Sequence, residues 1–186
     1  MLYLLRHAKD DESYIGSWSN IKILESEEEK VKDQATFIKN NIKVPKIYTS
    51  DIERAKQTAE IINEQLNVEL VIDKNLREQN KGNLTGKLKS SLTKEELYLI
   101  EHQQINTEFP EGESLLNLYK RIKSYLENIK LYEDNSLIVT HRGVINMIYY
   151  ILNDIPLDMD KNKFKVDHLS LHELDIEKMK IRRLKW

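Results

Sequence analysis

Apolar residues follow two rhythms along this chain. Short runs rich in apolar residues occupy 2–5, 47–49, 68–72 and 137–139, and the first is continuous. A run without alternation is the mark of a strand buried on both faces, as in a parallel sheet. Between the runs, apolar positions recur every three or four residues: Val31, Ala35, Ile38 and Ile42, then Ile52, Ala55, Ala59, Ile62 and Leu66, then Leu115, Leu118, Ile122, Tyr125 and Ile129. Each set predicts a helix with one apolar stripe. Residues 143–152 predict a further, buried helix. Residues 168–174 alternate in part, and 179–186 predict a last strand.

Polar punctuation divides these elements. Ser50 with Glu53, and Thr93 with Glu96, have capping-box spacing, which predicts helices starting there, the second running to about residue 105. Residues 9–24 and 73–92 are loops, the second holding Gly82 and Gly86, and Phe109-Pro110-Glu111-Gly112 is a turn. Strands alternating with helices predict an α/β fold, a three-layer α/β/α sandwich with a mostly parallel central sheet. With no repeat or linker in view, residues 1–186 are expected to form one domain.

Charge and composition narrow the function. Lys and Arg number 29 against 31 Asp and Glu, a formal net charge of −2, which argues against a general nucleic-acid binder. The absence of cysteine removes disulfides, thiolate metal sites and a cysteine nucleophile. No apolar stretch is long enough to span a bilayer, and the N-terminal run meets Arg6 without the basic lead of a signal peptide. The expectation is a cytoplasmic protein without nucleic-acid or membrane partners, its oligomeric state open.

The chemistry stands at strand ends. The first run closes on Arg6-His7, and the fourth on Thr140-His141-Arg142-Gly143. Open α/β sheets place ligands at the carboxyl ends of their strands. Two strands that each deliver a His and an Arg there build a cationic pocket suited to a phosphate dianion. An imidazole that keeps one nitrogen unprotonated can attack phosphorus. Taken singly, either histidine would be a structural residue at a strand end; the paired arrangement favours a site.

Five segments in order carry a resemblance. Leu5-Arg6-His7-Ala8 looks like an Arg-His-Gly signature. Ser50-Asp51-Ile52-Glu53-Arg54-Ala55-Lys56-Gln57-Thr58-Ala59 follows a Ser-Asp-x-x-Arg-Ala-x-Gln-Thr-Ala pattern. Leu76-Arg77-Glu78, Gly112-Glu113-Ser114 and Val139-Thr140-His141-Arg142-Gly143 complete the set. The chain resembles the histidine phosphatase superfamily, the phosphoglycerate mutase-like fold, nearly end to end. The resemblance implies a metal-independent phosphomonoesterase with no cofactor, acting on a small phosphorylated metabolite through a phosphohistidine. It implies His7 as nucleophile and Arg6 and Arg54 as guanidinium forks on phosphate. His141 would be the second pocket imidazole, stabilising charge when protonated. Glu78 would donate a proton to the leaving alcohol and then activate water.

The chain departs from the pattern at named places. Ala8 stands where Gly is usual, Lys9 where an acid is common, and Arg142 where the first Gly of His-Gly-Gly is expected, either enlarging the cationic site or pointing to solvent. A loop asparagine that often touches phosphate has Ser13, Ser17 and Asn20 as possible equivalents, and Trp18 is a candidate for the substrate mouth or for a cover on the core. Asp10-Asp11-Glu12 is a loop cluster with weak claims on a cation. His102 is expected on an exposed helix, and His168 and His172 on one strand face as structural residues. The modest segment 86–109 favours hydrolysis over a phosphoglycerate mutase-type transfer. A non-catalytic phospho-ligand module on the same fold is the alternative of a different class.

Overall fold

The computed structural model describes residues 1–160 and 162–185. Its strands are β1 (Leu2–Arg6), β2 (Lys46–Thr49), β3 (Glu69–Ile72), β4 (Leu137–Thr140), β5 (Leu171–Asp175) and β6 (Lys180–Arg183). Its helices are α1 (Glu28–Asn41), α2 (Glu53–Leu66), α3 (Lys94–Glu101), α4 (Leu115–Asn128) and α5 (Arg142–Leu152). The strands form one sheet in the order β3-β2-β4-β1-β5-β6. β1 to β4 run parallel, β5 pairs antiparallel with β1, and β6 pairs antiparallel with β5. The chain is thus the α/β fold with a mostly parallel sheet that its apolar pattern predicts. No helix among the described residues is long and apolar enough to cross a membrane.

Strand alternation sorts the core into two layers. Leu2, Leu4 and Ile138 pack with Leu118 and Ile122 of α4 and Val144 and Ile148 of α5. Leu5, Leu137 and Val139 point the other way, onto Val31, Ala35 and Ile38 of α1 and Ala55, Ala59 and Ile62 of α2. Truncating one of these buried leucines to alanine costs about 2–5 kcal/mol, because the transfer loss and the cavity add. β1 and β4 lie at the middle of the sheet, so their carboxyl ends open side by side between the two helical layers.

Local structure differs from the sequence pattern in instructive places. Thr93 and Glu96 form the expected reciprocal capping box, but α3 stops at Glu101, short of residue 105. His102 ends it, with its ring Nδ1 donating to the Tyr98 carbonyl at 3.0 Å. Ser50 and Glu53 form no capping box. Ser50 N–H extends the sheet by donating to Val139 O at 3.2 Å, its hydroxyl accepts from Ile52 N–H, and Asp51 is held by Arg77. These contacts keep the chain extended to Ile52, so α2 begins at Glu53 without a side-chain cap. Trp186, at the end of the expected last strand, lies outside the described residues.

His172 is the structural histidine that the pattern anticipates. It is buried in β5, with Nδ1 at 2.9 Å from the Tyr149 hydroxyl and Nε2 at 2.8 Å from the Ser170 hydroxyl. Burial, then the charge of Arg183, lowers its pKa to about 4. In the unfolded chain the imidazole titrates near 6.5. Between those values the unfolded state binds more protons, so this contribution is complete above about pH 6.5 and is lost as pH falls toward 4. His172 alone should cost about 2 kcal/mol of stability by pH 5. Denaturant unfolding at pH 7 and pH 5 should show that loss, and His172→Gln should shrink the difference; an undiminished difference in the variant would refute the assignment.

Candidate active site

The site forms where β1 and β4 end. Arg6 stands opposite Thr140 in the parallel register, and His7 N–H continues the ladder by donating to Thr140 O at 2.9 Å. The next residue on each strand is a histidine, so His7 and His141 emerge together. Their ring centroids are 5.1 Å apart. Both are buried. Arg54 arrives from the second position of α2, a placement that follows from the delayed helix start. Thr58, one turn on, accepts a hydrogen bond from Ala8 N–H at 3.1 Å and donates to Arg54 O at 2.7 Å, tying β1 to α2.

Hydrogen bonds specify the state of His7. A carbonyl can only accept, so the 2.7 Å contact with Ala8 O puts the proton on Nδ1. Arg54 Nε donates to Nε2 at 3.1 Å, so Nε2 presents its lone pair. Burial, then Arg54, with His141 and Arg6 adding to it, holds this imidazole well below the usual range. Burial first, then Arg54, Arg6 and Arg121, does the same to His141. Burial and the surrounding cations thus oppose a proton on His141, so the charge-stabilising form expected of it calls for an anion beside the ring.

The guanidiniums are fixed by backbone carbonyls. Arg54 donates from Nη2 to Ser17 O at 2.9 Å, and its Nε lies 3.4 Å from Asp10. Arg6 donates from Nη1 to Val166 O at 2.8 Å and from Nη2 to His168 Nε2 at 2.6 Å. Arg54 Nη1, Arg6 Nε and both His141 ring nitrogens are buried without a protein partner. Arg6 and Arg54, with His7 and Glu78, line a cavity of about 220 Å³, and His141 lies beside His7. Buried donors without partners mark a place shaped for an acceptor.

Glu78 reaches the same cavity on a loop. Its carboxylate accepts from Gln79 N–H at 2.9 Å and from Gly143 N–H at 3.1 Å. A Cβ at position 143 would collide with that carboxylate, so glycine is needed there for the close approach. The main chain of Glu78 is held from two sides. Trp18 Nε1 donates to its carbonyl at 2.7 Å, and Arg121 Nη2 to the same oxygen at 3.3 Å. Arg121 also binds Arg77 O and Asn75 O, and forks onto Glu113 at 2.9 and 3.0 Å. Glu113 in turn accepts from Asn80 N–H at 3.0 Å. Arg77, whose guanidinium carbon sits 4.4 Å from the Trp18 ring centroid, pairs with Asp51.

The model of the histidine phosphatase superfamily (branch 1) matches residues 2–186. The chain belongs to this superfamily. A Hydrogenobacter thermophilus protein named "putative phosphoserine phosphatase 2" is 29% identical over 185 residues, which are 95% of this chain and 89% of that protein. The Escherichia coli protein named "probable phosphoglycerate mutase GpmB" is 26% identical over 184 residues, 95% of this chain and 85% of its own length. Among solved structures, mycobacterial glucosyl-3-phosphoglycerate phosphatase superposes with a TM-score of 0.76 at 18% identity, covering 100% of this chain and 97% of its own. That last likeness speaks to the phosphoglycerate mutase-like fold.

Several sequence expectations change within this superfamily frame. His168 is no strand residue: it precedes β5, its ring centroid is 5.5 Å from that of His7, and burial followed by Arg6 lowers its pKa to about 4. Leu169 N–H donates to Arg6 O at 3.1 Å and Arg6 N–H to Ser170 O at 3.2 Å, which carries the antiparallel β1–β5 pairing on to the residue after His168. Ser17 has its hydroxyl engaged by Gln79 O, Lys81 N–H and Thr85 and offers its carbonyl to Arg54, while Ser13 bonds Asp11 and Asn20 is exposed. Trp18 braces the Glu78 segment, exposed Lys9 pairs with Glu12 at 3.5 Å, and Arg142 lines the cavity. His7, Asp10 and His168 offer one potential metal-ligand atom each within 4.8 Å. Guanidiniums already engage His7 Nε2 and His168 Nε2, and one lies beside Asp10. A cation would sit against Arg6 and Arg54, so the donor set fits an anion better.

Arg121 and Glu113 form the clamp that holds the Glu78 loop to α4. Arg121→Met should destabilise the fold by about 2–4 kcal/mol, since it strands Glu113 and several carbonyls. Adding Glu113→Gln should cost much less than its single effect. Additive losses in a double-mutant cycle measured by denaturant unfolding would refute the coupling.

Proposed function

We propose that the protein is a metal-independent phosphomonoesterase that works through a phosphohistidine on His7, with Glu78 as proton donor. The observation that carries this reading is the Nδ1-protonated His7, whose Nε2 lone pair lies among cations in a buried pocket. A neutral imidazole nitrogen is a competent nucleophile toward phosphorus, and the surrounding cations draw the dianion onto it.

The steps balance as follows. Phosphate oxygens take the open donors of Arg54 and Arg6 and the N–H of His141. Arg54 Nε–H passes from His7 Nε2 to a phosphate oxygen, which frees the lone pair. Nε2 then bonds to phosphorus as the ester P–O bond breaks, and the Glu78 carboxylic acid gives its proton to the departing oxygen. The Glu78 carboxylate then takes a proton from water as that water attacks phosphorus. The P–N bond breaks, its electron pair returns to Nε2, and inorganic phosphate leaves. Binding a dianion also favours a proton on His141, because opposite charge raises an imidazole pKa. Charge on the protein does the neutralising that a metal supplies elsewhere. The named phosphatases among the relatives support hydrolysis. The relative named as a mutase supports the alternative in which the phosphoryl group returns to product.

Acid quench of a reaction with ³²P-labelled ester, in chelator, should trap label on His7, and His7→Ala should lose about 10⁴-fold or more in kcat. Label on another residue, or equal rates in wild type and variant, would defeat the proposal. Interconversion of phosphoglycerates without phosphate release would favour the mutase. Glu78→Gln should slow alkyl phosphates by about 10²–10³-fold and p-nitrophenyl phosphate far less, because a good leaving group needs no proton. A uniform loss would move the acid role to another group.

A further inference from the structure

We infer that Arg142 builds a subsite for a second anionic group on the substrate, so that the preferred esters carry a carboxylate or a further phosphate besides the one transferred. This rests on the phosphomonoesterase reading and extends it to substrate class. Arg142 is the first residue of α5, and its side chain lines the cavity. Its neighbour Gly143 donates to the Glu78 carboxylate at 3.1 Å. The charge of Arg142 also bears on Arg6 and on His168. Arg142 therefore lines the same cavity as the phosphate clamp and the proton donor, and its neighbour in the chain holds that donor.

The carboxylates that line the cavity are already engaged. Asp10 faces Arg54 at 3.4 Å, Glu12 faces Lys9 at 3.5 Å, and Asp158 is bound by Lys163 and Tyr150. Glu78 and Asp160 accept backbone N–H groups. The Arg142 guanidinium has no ion pair or hydrogen bond among the described residues. A lone guanidinium near Arg6 is repelled by it, and a phosphate dianion already has Arg6, Arg54 and two imidazoles to meet. The arrangement is relieved by a ligand that brings more negative charge to the leaving-group side. A planar fork suits the two oxygens of a carboxylate or a phosphate.

Two matched pairs test this. 3-Phosphoglycerate and glycerol 3-phosphate differ by a carboxylate, and propane-1,3-diyl bisphosphate and 3-hydroxypropyl phosphate by a second phosphate. For each pair the ratio of kcat/KM, charged over uncharged, is measured for wild type, Arg142→Gln and Arg142→Lys, together with the ratio of binding affinities by calorimetry. Wild type should favour the charged member of at least one pair by about tenfold or more, the pair showing which anion is read. Arg142→Gln should bring that ratio near one, with Arg142→Lys between. A wild-type ratio near one in both pairs, an unchanged ratio in Arg142→Gln, or no measurable binding of either charged ester would overturn the inference. If the affinity ratios depend on Arg142 while none of the esters is hydrolysed, the subsite stands and the phosphatase reading falls.

Discussion

The hydrogen bond from His7 Nδ1 to the carbonyl of the following residue is the constraint on which the candidate site depends. It decides which ring nitrogen carries the proton, and therefore whether Nε2 faces the cavity as a lone pair or as a donor. The fold holds the peptides on either side of the one that carries this carbonyl: Ala8 N–H donates to Thr58 at 3.1 Å, and the Lys9 carbonyl accepts from Leu24 N–H at 2.9 Å. Burial and neighbouring positive charge act in the same direction, each opposing a second proton on the ring. The carbonyl selects the tautomer while itself favouring the charged ring, and burial with the neighbouring cations outweighs it, so the ring stays below its usual pKa. A surface imidazole of ordinary pKa would be divided between forms near neutral pH.

A second constraint concerns how the cations are kept in place. Carboxylates would hold Arg6 and Arg54 more strongly than carbonyls do, but carboxylates also repel a phosphate and compete for the same donors. The chain instead gives Arg54 the Ser17 carbonyl and Arg6 the Val166 carbonyl. A carbonyl fixes geometry without cancelling the charge. Asp10 approaches Arg54 only to 3.4 Å, and it is itself buried, which raises its pKa despite that arginine. The cost is a buried cluster whose charge is incompletely matched, of the kind that shifts pKa values at functional sites.

Much of this was legible in the sequence, and the exceptions share a cause. Arg6, His7, His141 and Arg54 lie within a residue or two of elements with strong apolar patterns, so locating the strand ends and the helix start located them. His168 carries no such signal. It enters the cluster because β5 runs antiparallel beside β1, a pairing between residues more than 160 apart that no local periodicity encodes. The Ser50–Glu53 spacing failed for a related reason: sheet extension to Val139 and the Asp51–Arg77 pair are tertiary contacts that outcompete a local cap. Thr93 and Glu96 form their box as spaced, because Glu96 meets Lys87 with one carboxylate oxygen and keeps the other for the Thr93 N–H.

The motif residues that do not reach the cavity have a common task. Asp51 holds Arg77, Arg77 lies over Trp18, Trp18 and Arg121 hold the Glu78 carbonyl, and Glu113 holds both Arg121 and the Asn80 amide. Gly82 and Gly112 let the two loops touch, since a Cβ on either would meet the other loop's backbone. The nucleophile needs no such apparatus, because strand hydrogen bonds already fix it in the middle of the sheet. A carboxyl on a loop has no ladder to define it, so several side chains from distant motifs must do so together. The phosphate end is thus fixed by the sheet and the proton donor from outside it, and α5 joins the two, with Arg142 acting on Arg6 and the Gly143 N–H held to Glu78.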